Sequence, residues 1–289
     1  MSSDKMQIGD RMKRYESVSS ACLTNRSPVI IRVDGRAFHT YTRDFYRPFD
    51  SLLQTTMVEA AKQVAGEMQG FEVAYHQSDE VSFLLTDYDK ITTSAWFDYT
   101  TQKITTITAS VMTAWFNRLM KFKMDAIISD ALDKETRQKY LKIIDRIAYF
   151  DARAFNVPKE DVVNYFLWRA KDWERNSLQM YCMSFFSPRQ LEGKGAAERH
   201  EMLHSIGKNW ATDVEPKFRN GTFILSDDKP RINSDGKPSN FIKIRGFKEN
   251  PMVQARYYQI EKLVGPLVYK DQYVPAPVDI AAVEQEIEK

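Results

Sequence analysis

The chain has 289 residues, of which 43% are hydrophobic and 28% are charged, and its formal net charge is +2. This composition is typical of a soluble globular protein with one or two domains, and no apolar run reaches the ~18 residues that a membrane-spanning helix needs. The small net charge excludes a uniformly basic surface, so a nucleic-acid partner would have to bind a local basic patch.

The cysteines and the N-terminus indicate the compartment. Cys22 and Cys182 stand far apart in the sequence and predict neither a disulfide framework nor a cysteine metal site. The first residues, "MSSDKMQIGDRMKRYES", lack the apolar core of a secretory signal. We therefore expect a protein of the reducing cytoplasm, with no membrane partner.

The first 155 residues carry apolar patterns in the order strand, helix, strand, strand, helix, strand. "PVIIRV" predicts a buried strand, and apolar residues at three- and four-residue spacing predict a helix over 50–69. Residues 71–77 and 81–86 alternate around a very short turn, as in a hairpin. A helix around Ile104 and a strand at 146–155 complete the series. This order predicts an α/β fold of the α+β type, with a ferredoxin-like βαββαβ domain over residues 1–155.

Residues 156–289 are expected to form a helical and loop-rich C-terminal region that packs on the first domain. A helix should begin near Pro158, and 280–289 could form a short terminal helix. Between 218 and 250 the chain is rich in polar residues, glycine and proline, which predicts a hairpin or mobile loop. Its segment 227–250 carries a basic cluster: Lys229, Arg231, Lys237, Lys243, Arg245 and Lys248.

Two acidic residues are predicted to meet at one end of the sheet. Asp34 ends the first strand and Asp79 lies in the hairpin turn, and in a βαββαβ unit these two strands lie side by side. Side chains alternate between faces, so Asp79 rather than Glu80 is the expected partner of Asp34. Two carboxylates in a partly dry cleft repel each other unless a cation lies between them, and Mg²⁺ suits such oxygen ligands.

Each of these motifs by itself has an ordinary interpretation. An acidic pair at a hairpin turn is most often solvated, and Asp-Gly is a common turn signal. Their combination on adjacent strands favours a metal site, where Gly35 lets the backbone approach the ion or a triphosphate. Arg36, Arg43 and Arg47 follow closely in the sequence, and such a group of guanidinium side chains suits phosphate binding.

Four segments resemble the motifs of the tRNA-histidine guanylyltransferase family: "RVDGRAFHTYTRDFYRPFD", "AYHQSDEVSFLL", "ASVMTAWFN" and "YFDARAF". The similarity runs from about residue 5 to residue 215. It implies a polymerase palm domain that works in the 3′-to-5′ direction and adds nucleotides to the 5′ end of a tRNA. It also implies GTP or other nucleoside triphosphates as substrates, ATP as a further candidate, and a homotetramer.

The resemblance also implies roles for individual residues. Asp34, Asp79 and the carbonyl of Gly35 would hold two Mg²⁺ ions, with Glu80 beside them as a further catalytic acid. The residues expected to contact the nucleotide are Gly35, Arg36, Ala37, Phe38, His39, Arg47, Ser78 and Lys103.

One motif departs from the family pattern. The eukaryotic branch carries His-Ile-Asn-Asn on the helix after the palm, whereas this chain has Glu174, Arg175, Asn176 and Ser177. "RNS" resembles instead the branch that repairs 5′-truncated tRNAs by templated addition. We therefore predict templated tRNA repair, with addition of the extra 5′ guanosine to histidine tRNA as the alternative.

Two further classes of function remain open. "HEMLH" at 200–204 matches the zinc-protease pattern, since His200 and His204 would lie one turn apart on a helix. The third ligand of the extended pattern would fall on Trp210, which leaves only Glu215 as a weak substitute. We favour an ordinary helix that ends at Gly207. A catalytically weak RNA-binding relative is the other class, and the acidic pair argues against it.

Overall fold

The computed structural model describes residues 7–90, 92–130, 133–232 and 238–270. Its α-helices are α1 (Ile8–Ser17), α2 (Phe38–Tyr41), α3 (Ser51–Glu67), α4 (Thr101–Asp130), α5 (Lys134–Ile143), α6 (Val162–Cys182), α7 (Pro188–Leu191), α8 (Ala196–Ser205), α9 (Trp210–Asp213), α10 (Pro216–Arg219) and α11 (Tyr257–Tyr269). Its strands are β1 (Val29–Gly35), β2 (Phe71–Gln77), β3 (Glu80–Leu85), β4 (Phe150–Asn156), β5 (Thr222–Ser226), β6 (Lys229–Ile232), β7 (Pro238–Ile244) and β8 (Phe247–Pro251). The helix predicted at 280–289 lies outside the described residues. Within these ranges, no helix combines the length and apolarity needed to cross a membrane.

The main sheet has six strands in the order β4-β1-β3-β2-β5-β8, and every neighbouring pair is antiparallel. Along the chain, β1, α3, β2, β3, α4 and β4 follow one another, and their strands take the spatial order 4-1-3-2. This arrangement confirms the predicted ferredoxin-like βαββαβ fold. The hairpin between β2 and β3 turns on only two residues, Ser78 and Asp79.

Helices cover both faces of the sheet, which explains why β1 is almost continuously apolar. Val29, Ile31 and Val33 pack in a core formed with α3 and α4. Ile30 points the other way, into a core formed with α6 and α11. A central strand that is buried on both faces needs apolar residues at successive positions, and β1 has them until Arg32.

The C-terminal region adds two strands to the same sheet. β5 pairs with β2, and β8 pairs with β5, whereas β6 and β7 form a separate two-stranded hairpin. The predicted hairpin therefore exists, but the chain on both sides of it belongs to the main sheet rather than to a loop. The physical reason is the short run "TFIL" at 222–225, whose side chains are all buried.

Arg245 does not belong to a free basic cluster. Its guanidinium donates hydrogen bonds to the carbonyl oxygens of Gly66 at 2.6 Å and Met68 at 3.0 Å. These carbonyls lie at the C-terminal end of α3, where a cation satisfies unpaired acceptors and interacts favourably with the helix dipole. Lys237 lies outside the described residues, and Lys248 is exposed.

A buried ion pair fastens α6 to the sheet. Nε and Nη2 of Arg169 donate to the two carboxylate oxygens of Glu80, each at 2.7 Å. Gln77 donates a further hydrogen bond to Glu80 at 3.1 Å. Both ionic side chains are more than nine-tenths buried, with 9% exposure for Arg169 and 8% for Glu80. Among the described residues, Glu80 without Arg169 would keep Arg32 as its only cationic partner, with Nε 3.8 Å away. Arg169 without Glu80 would keep only the more exposed Asp172, at 3.4 Å.

We expect Arg169→Ala to lower the free energy of unfolding by roughly 3–5 kcal/mol, because the buried Glu80 carboxylate loses both short hydrogen bonds and keeps the more distant Arg32, at 3.8 Å, as its cationic partner. The matched control is Arg175→Ala on the same helix, whose partner Asp172 lies at 3.2 Å on the surface. That control should change stability by about 1 kcal/mol or less. Urea denaturation of the two variants measures the difference, and equal losses in both would contradict a special role for the buried pair.

Candidate functional site

The structure brings Asp34 and Asp79 together at one end of the sheet. Asp34 is the penultimate residue of β1 and pairs across strands with Glu80. The next residue, Gly35, donates its backbone N–H to the carbonyl oxygen of Asp79 at 3.1 Å. The end of β1 is thus hydrogen-bonded directly to the hairpin turn, so the two aspartates lie at the same place.

The electrostatics of this pair show the predicted conflict. Burial and the negative charge of Asp34 raise the pKa of Asp79 to about 6, although a hydrogen bond from the Ser78 side chain acts in the opposite direction. A carboxylate in such a position gives up its proton reluctantly unless a cation balances the charge. The pair therefore has the electrostatic character of a cation site.

The backbone around the aspartates is specialised. A Cβ atom on Gly35 would lie only 2.2 Å from a ring carbon of Phe38. That ring cannot move aside easily, because it packs in the core against Phe116 and Phe150. Ser78 adopts a left-handed backbone conformation with φ of 51°, which is uncommon for a residue other than glycine. Such conformations concentrate at functional sites.

A cavity of about 480 Å³ opens beside the aspartates. Its walls come from β1 and the following loop, the hairpin turn, the start of α3, and α6 and α10 on the far side. The predicted site residues that line it are Asp34, Gly35, Ala37, Phe38, His39, Arg47, Ser78 and Asp79. Its volume and mixed lining are suitable for a small ligand of nucleotide size.

Three predicted site residues do not reach this cavity. Arg36 is exposed and does not line the cavity, and its backbone N–H donates a hydrogen bond to the carbonyl oxygen of Tyr149. Glu80 faces α6, where Arg169 binds both of its oxygens, because side chains alternate along β3.

Lys103 is likewise absent from the residues that line the cavity. It stands in the first turn of α4, 4.9 Å from the ring of Phe97. Thr100 lies just before α4 and forms an isolated antiparallel β-bridge with Cys22, which precedes β1 in the chain. A contact between Lys103 and the nucleotide stays a prediction.

Sequence reasoning missed the far wall of the cavity. The ring of Phe49 stacks on that of Phe218, with centroids 5.3 Å apart and planes at 13°. Trp173 of α6 donates its indole N–H to the carbonyl of Phe218 at 3.0 Å and so holds α10 in place. Lys217 adds a cation to the same wall. No short-range pattern could have joined these residues, since α10 is far from β1 in the sequence.

Asp50 also lines the cavity, and its carboxylate is already engaged. One oxygen accepts a hydrogen bond from the backbone N–H of Leu53 and caps α3. The other accepts a hydrogen bond from the backbone N–H of Tyr46. Asp50 therefore fixes the loop that carries Arg47.

The four positions that depart from the family motif have two different environments. Glu174 accepts a hydrogen bond from the Asn220 side chain at 2.9 Å, and buried Ser177 donates to the Arg219 carbonyl at 2.8 Å. Both hold the segment that joins α10 to β5. Arg175 and Asn176, by contrast, are exposed on the surface of α6.

The zinc-protease interpretation finds no support. The motif lies on α8, as expected, but the ring of His200 packs edge-on against Trp210 at 5.8 Å. Burial is the main cause that lowers the pKa of His200. In the part of the chain that the structure describes, no three His, Cys, Asp or Glu side chains are grouped to hold a metal ion.

Comparisons with known proteins agree with this geometry. The model of the family described as tRNAHis guanylyltransferase matches residues 9–158. A bacterial tRNA(His) guanylyltransferase-like protein in complex with ATP is 38% identical, with a TM-score of 0.66, over 76% of this chain and 87% of that one. Another such bacterial structure, in complex with GTP, is 31% identical, with a TM-score of 0.69, over 91% of this chain and 99% of that one.

A sequence relative points to the same family. The tRNA(His) guanylyltransferase of Debaryomyces hansenii is 26% identical over 215 residues, which are 69% of this chain and 73% of that protein. The palm-like fold, the paired aspartates and these similarities lead to one conclusion: the chain is a nucleotidyltransferase that belongs to the tRNA(His) guanylyltransferase family.

Proposed function

We propose that the protein adds nucleotides in the 3′-to-5′ direction to the 5′ end of tRNA and so repairs 5′-truncated tRNAs. The observation that carries this proposal is the meeting of Asp34 and Asp79 at the mouth of a nucleotide-sized cavity. The complexes of the two bacterial relatives with ATP and GTP support nucleoside triphosphates as substrates. Transfer to the 5′ end of tRNA follows from the family.

The residues at this site fit Mg²⁺. The carboxylates of Asp34 and Asp79 are hard oxygen ligands, and burial together with the negative charge of Asp34 raises the pKa of Asp79. The backbone of Gly35 lies directly beside them. Bound Mg²⁺ would lower the pKa of the attacking hydroxyl and offset the charge of the triphosphate.

The other cavity residues would bind and orient the nucleotide. Arg47 and Lys217 stand on different walls, and their cations suit the phosphates. The stacked rings of Phe49 and Phe218 offer an apolar surface for the base or sugar. Trp173 and Asp50 position these groups through their hydrogen bonds to the backbone.

The proposed reaction joins the 3′ hydroxyl of the incoming nucleotide to the 5′ phosphate of the tRNA. A new P–O bond forms as the bond to the leaving group breaks, and the hydroxyl proton passes to solvent. The leaving group is pyrophosphate if the tRNA carries a 5′ triphosphate, or AMP if its 5′ end is adenylated.

Template-directed selection is supported by the four positions on α6. Glu174 and Ser177 are engaged with residues 219 and 220 of the same chain, so they are not free to recognise a particular tRNA. We take base pairing with the opposite strand of the acceptor stem as the main source of nucleotide choice. Addition of the extra guanosine to histidine tRNA is the second candidate, supported by the Debaryomyces hansenii relative.

We expect Asp34→Ala and Asp79→Ala each to reduce nucleotide addition by at least ~100-fold, because a lost metal ligand removes several kcal/mol of charge stabilisation. Single-turnover assays with radiolabelled tRNA measure this loss. Asp125→Ala is the control, since it removes an exposed carboxylate of α4 that is remote from the cavity. Activity within tenfold of the parent in either cavity variant would refute the metal assignment.

The raised pKa of Asp79 leads to a prediction for stability. Its folded-state pKa of about 6 exceeds the ordinary aspartate value of 3.8, so ionised Asp79 destabilises the metal-free fold above pH 6 and has no such effect below its unfolded-state pKa. Asp79→Asn should therefore raise the melting temperature in EDTA at pH 7.5, and this gain should disappear at pH 3.5. Mg²⁺ should stabilise the parent more than the variant. A variant that melts below the parent at pH 7.5 would contradict this account.

Substrate choice can be tested with tRNAs that lack their first 5′ nucleotide. We expect the protein to add whichever nucleotide pairs with the opposing base, on several tRNA species, and to stop when the stem is complete. Changing the opposing base should change the nucleotide added, since a mispaired nucleotide leaves polar groups unsatisfied at about 1–3 kcal/mol each. Addition of guanosine alone, to histidine tRNA alone and regardless of the opposing base, would favour the second candidate.

A further inference from the structure

His76 is a buried cavity residue to which the mechanism above gives no role. It lies on β2, is only 2% exposed, and lines the cavity beside Ser78 and Asp79. Its Nε2 atom lies 2.9 Å from the carbonyl oxygen of Ser78. A carbonyl oxygen can only accept, so Nε2 carries the hydrogen.

The other ring nitrogen of His76 is therefore an acceptor. Burial lowers the pKa of His76 to about 4, so the ring is neutral near pH 7 and Nδ1 carries a free lone pair. Among the described residues, Nδ1 has no hydrogen-bond partner. Native proteins rarely leave a buried polar atom unpaired, and such an atom commonly indicates a water or ligand that binds there.

The chemistry of a bare acceptor limits what can bind to it. Phosphate oxygens are acceptors themselves at neutral pH, so Nδ1 repels them. The donors that a nucleoside triphosphate offers are the N–H groups of its base and the hydroxyls of its ribose. Asp34 and Asp79 line the same cavity as His76, so a nucleotide that binds to them lies in the cavity that His76 lines.

We propose that His76 Nδ1 accepts a hydrogen bond from the base or ribose of the nucleoside triphosphate and thereby contributes to nucleotide selection. This inference rests on the proposed function, because it takes the cavity to be the nucleotide site. His76 is then a specificity-determining residue, and its bond to Ser78 fixes the tautomer that can accept.

The test is calorimetric titration with GTP and four analogues, in Mg²⁺ and without tRNA. Inosine triphosphate lacks the 2-amino group, 1-methyl-GTP lacks the imino hydrogen, and 2′-deoxy-GTP and 3′-deoxy-GTP each lack one hydroxyl. The informative variant is His76→Gln, whose amide can still donate to the Ser78 carbonyl but offers no acceptor at the position of Nδ1.

We expect the parent to bind one analogue ~5- to 20-fold more weakly than GTP, which is the usual effect of one lost buried hydrogen bond. His76→Gln should bind GTP and that analogue with equal affinity. His76→Asn, whose amide oxygen can take the place of Nδ1, should retain the discrimination. Unchanged GTP affinity in His76→Gln, or the same loss for GTP and all four analogues, would overturn the proposal, since a uniform loss indicates a structural effect.

Thr222→Val is the matched control. Thr222 pairs with His76 across strands, and its hydroxyl is also buried without a partner among the described residues, but it does not line the cavity. This variant should bind GTP and the analogues as the parent does. If it too lost the discrimination, a water shared by the two side chains, rather than direct contact with the nucleotide, would explain the result and overturn the proposal.

These titrations separate the inference from the proposed function. A parent protein that binds GTP with the expected discrimination but adds no nucleotide to tRNA would refute the function and leave the role of His76 intact. A parent that adds nucleotides while His76→Gln binds every nucleotide normally would refute only the inference.

Discussion

The hydrogen bond from the Gly35 N–H to the Asp79 carbonyl is the constraint on which the candidate site depends. It holds the end of β1 against the hairpin turn, and it requires a residue without a side chain, because Phe38 occupies the space that a Cβ would need. The cost of this close approach is repulsion between two carboxylates. Apolar packing of the surrounding helices on both faces of the sheet opposes that repulsion and keeps the aspartates together.

Two neighbouring acids have opposite properties because Glu80 begins β3 whereas Asp79 lies in the turn before it. Glu80 points to α6, where Arg169 neutralises it fully and makes it part of the scaffold. Asp79 lies in the turn, and within the described residues no lysine or arginine forms an ion pair with it or with Asp34. The protein thus satisfies one acid internally and leaves the adjacent pair of carboxylates without a cationic partner in the part of the chain that the structure describes.

Local sequence patterns predicted the palm-like unit well, because β1, α3 and the β2–β3 hairpin each carry their own periodicity. They also predicted the meeting of Asp34 and Asp79, which depends only on the order of these elements. The pattern failed where contacts span long distances in sequence: α10 reaches the cavity through Trp173 and Phe49. The segment 218–250 is polar on average, and a prediction based on that average missed the four buried residues of β5 within it.

The position of β5 beside β2 has a consequence for biosynthesis. The βαββαβ unit is complete once β4 has been made, but β2 then forms an open sheet edge until β5 follows much later in the chain. At a translation rate of roughly 5–20 residues per second, this interval is on the order of several seconds. During that time the exposed backbone of β2 could pair with another nascent chain, so we expect chaperones that shield sheet edges to assist folding in the cell.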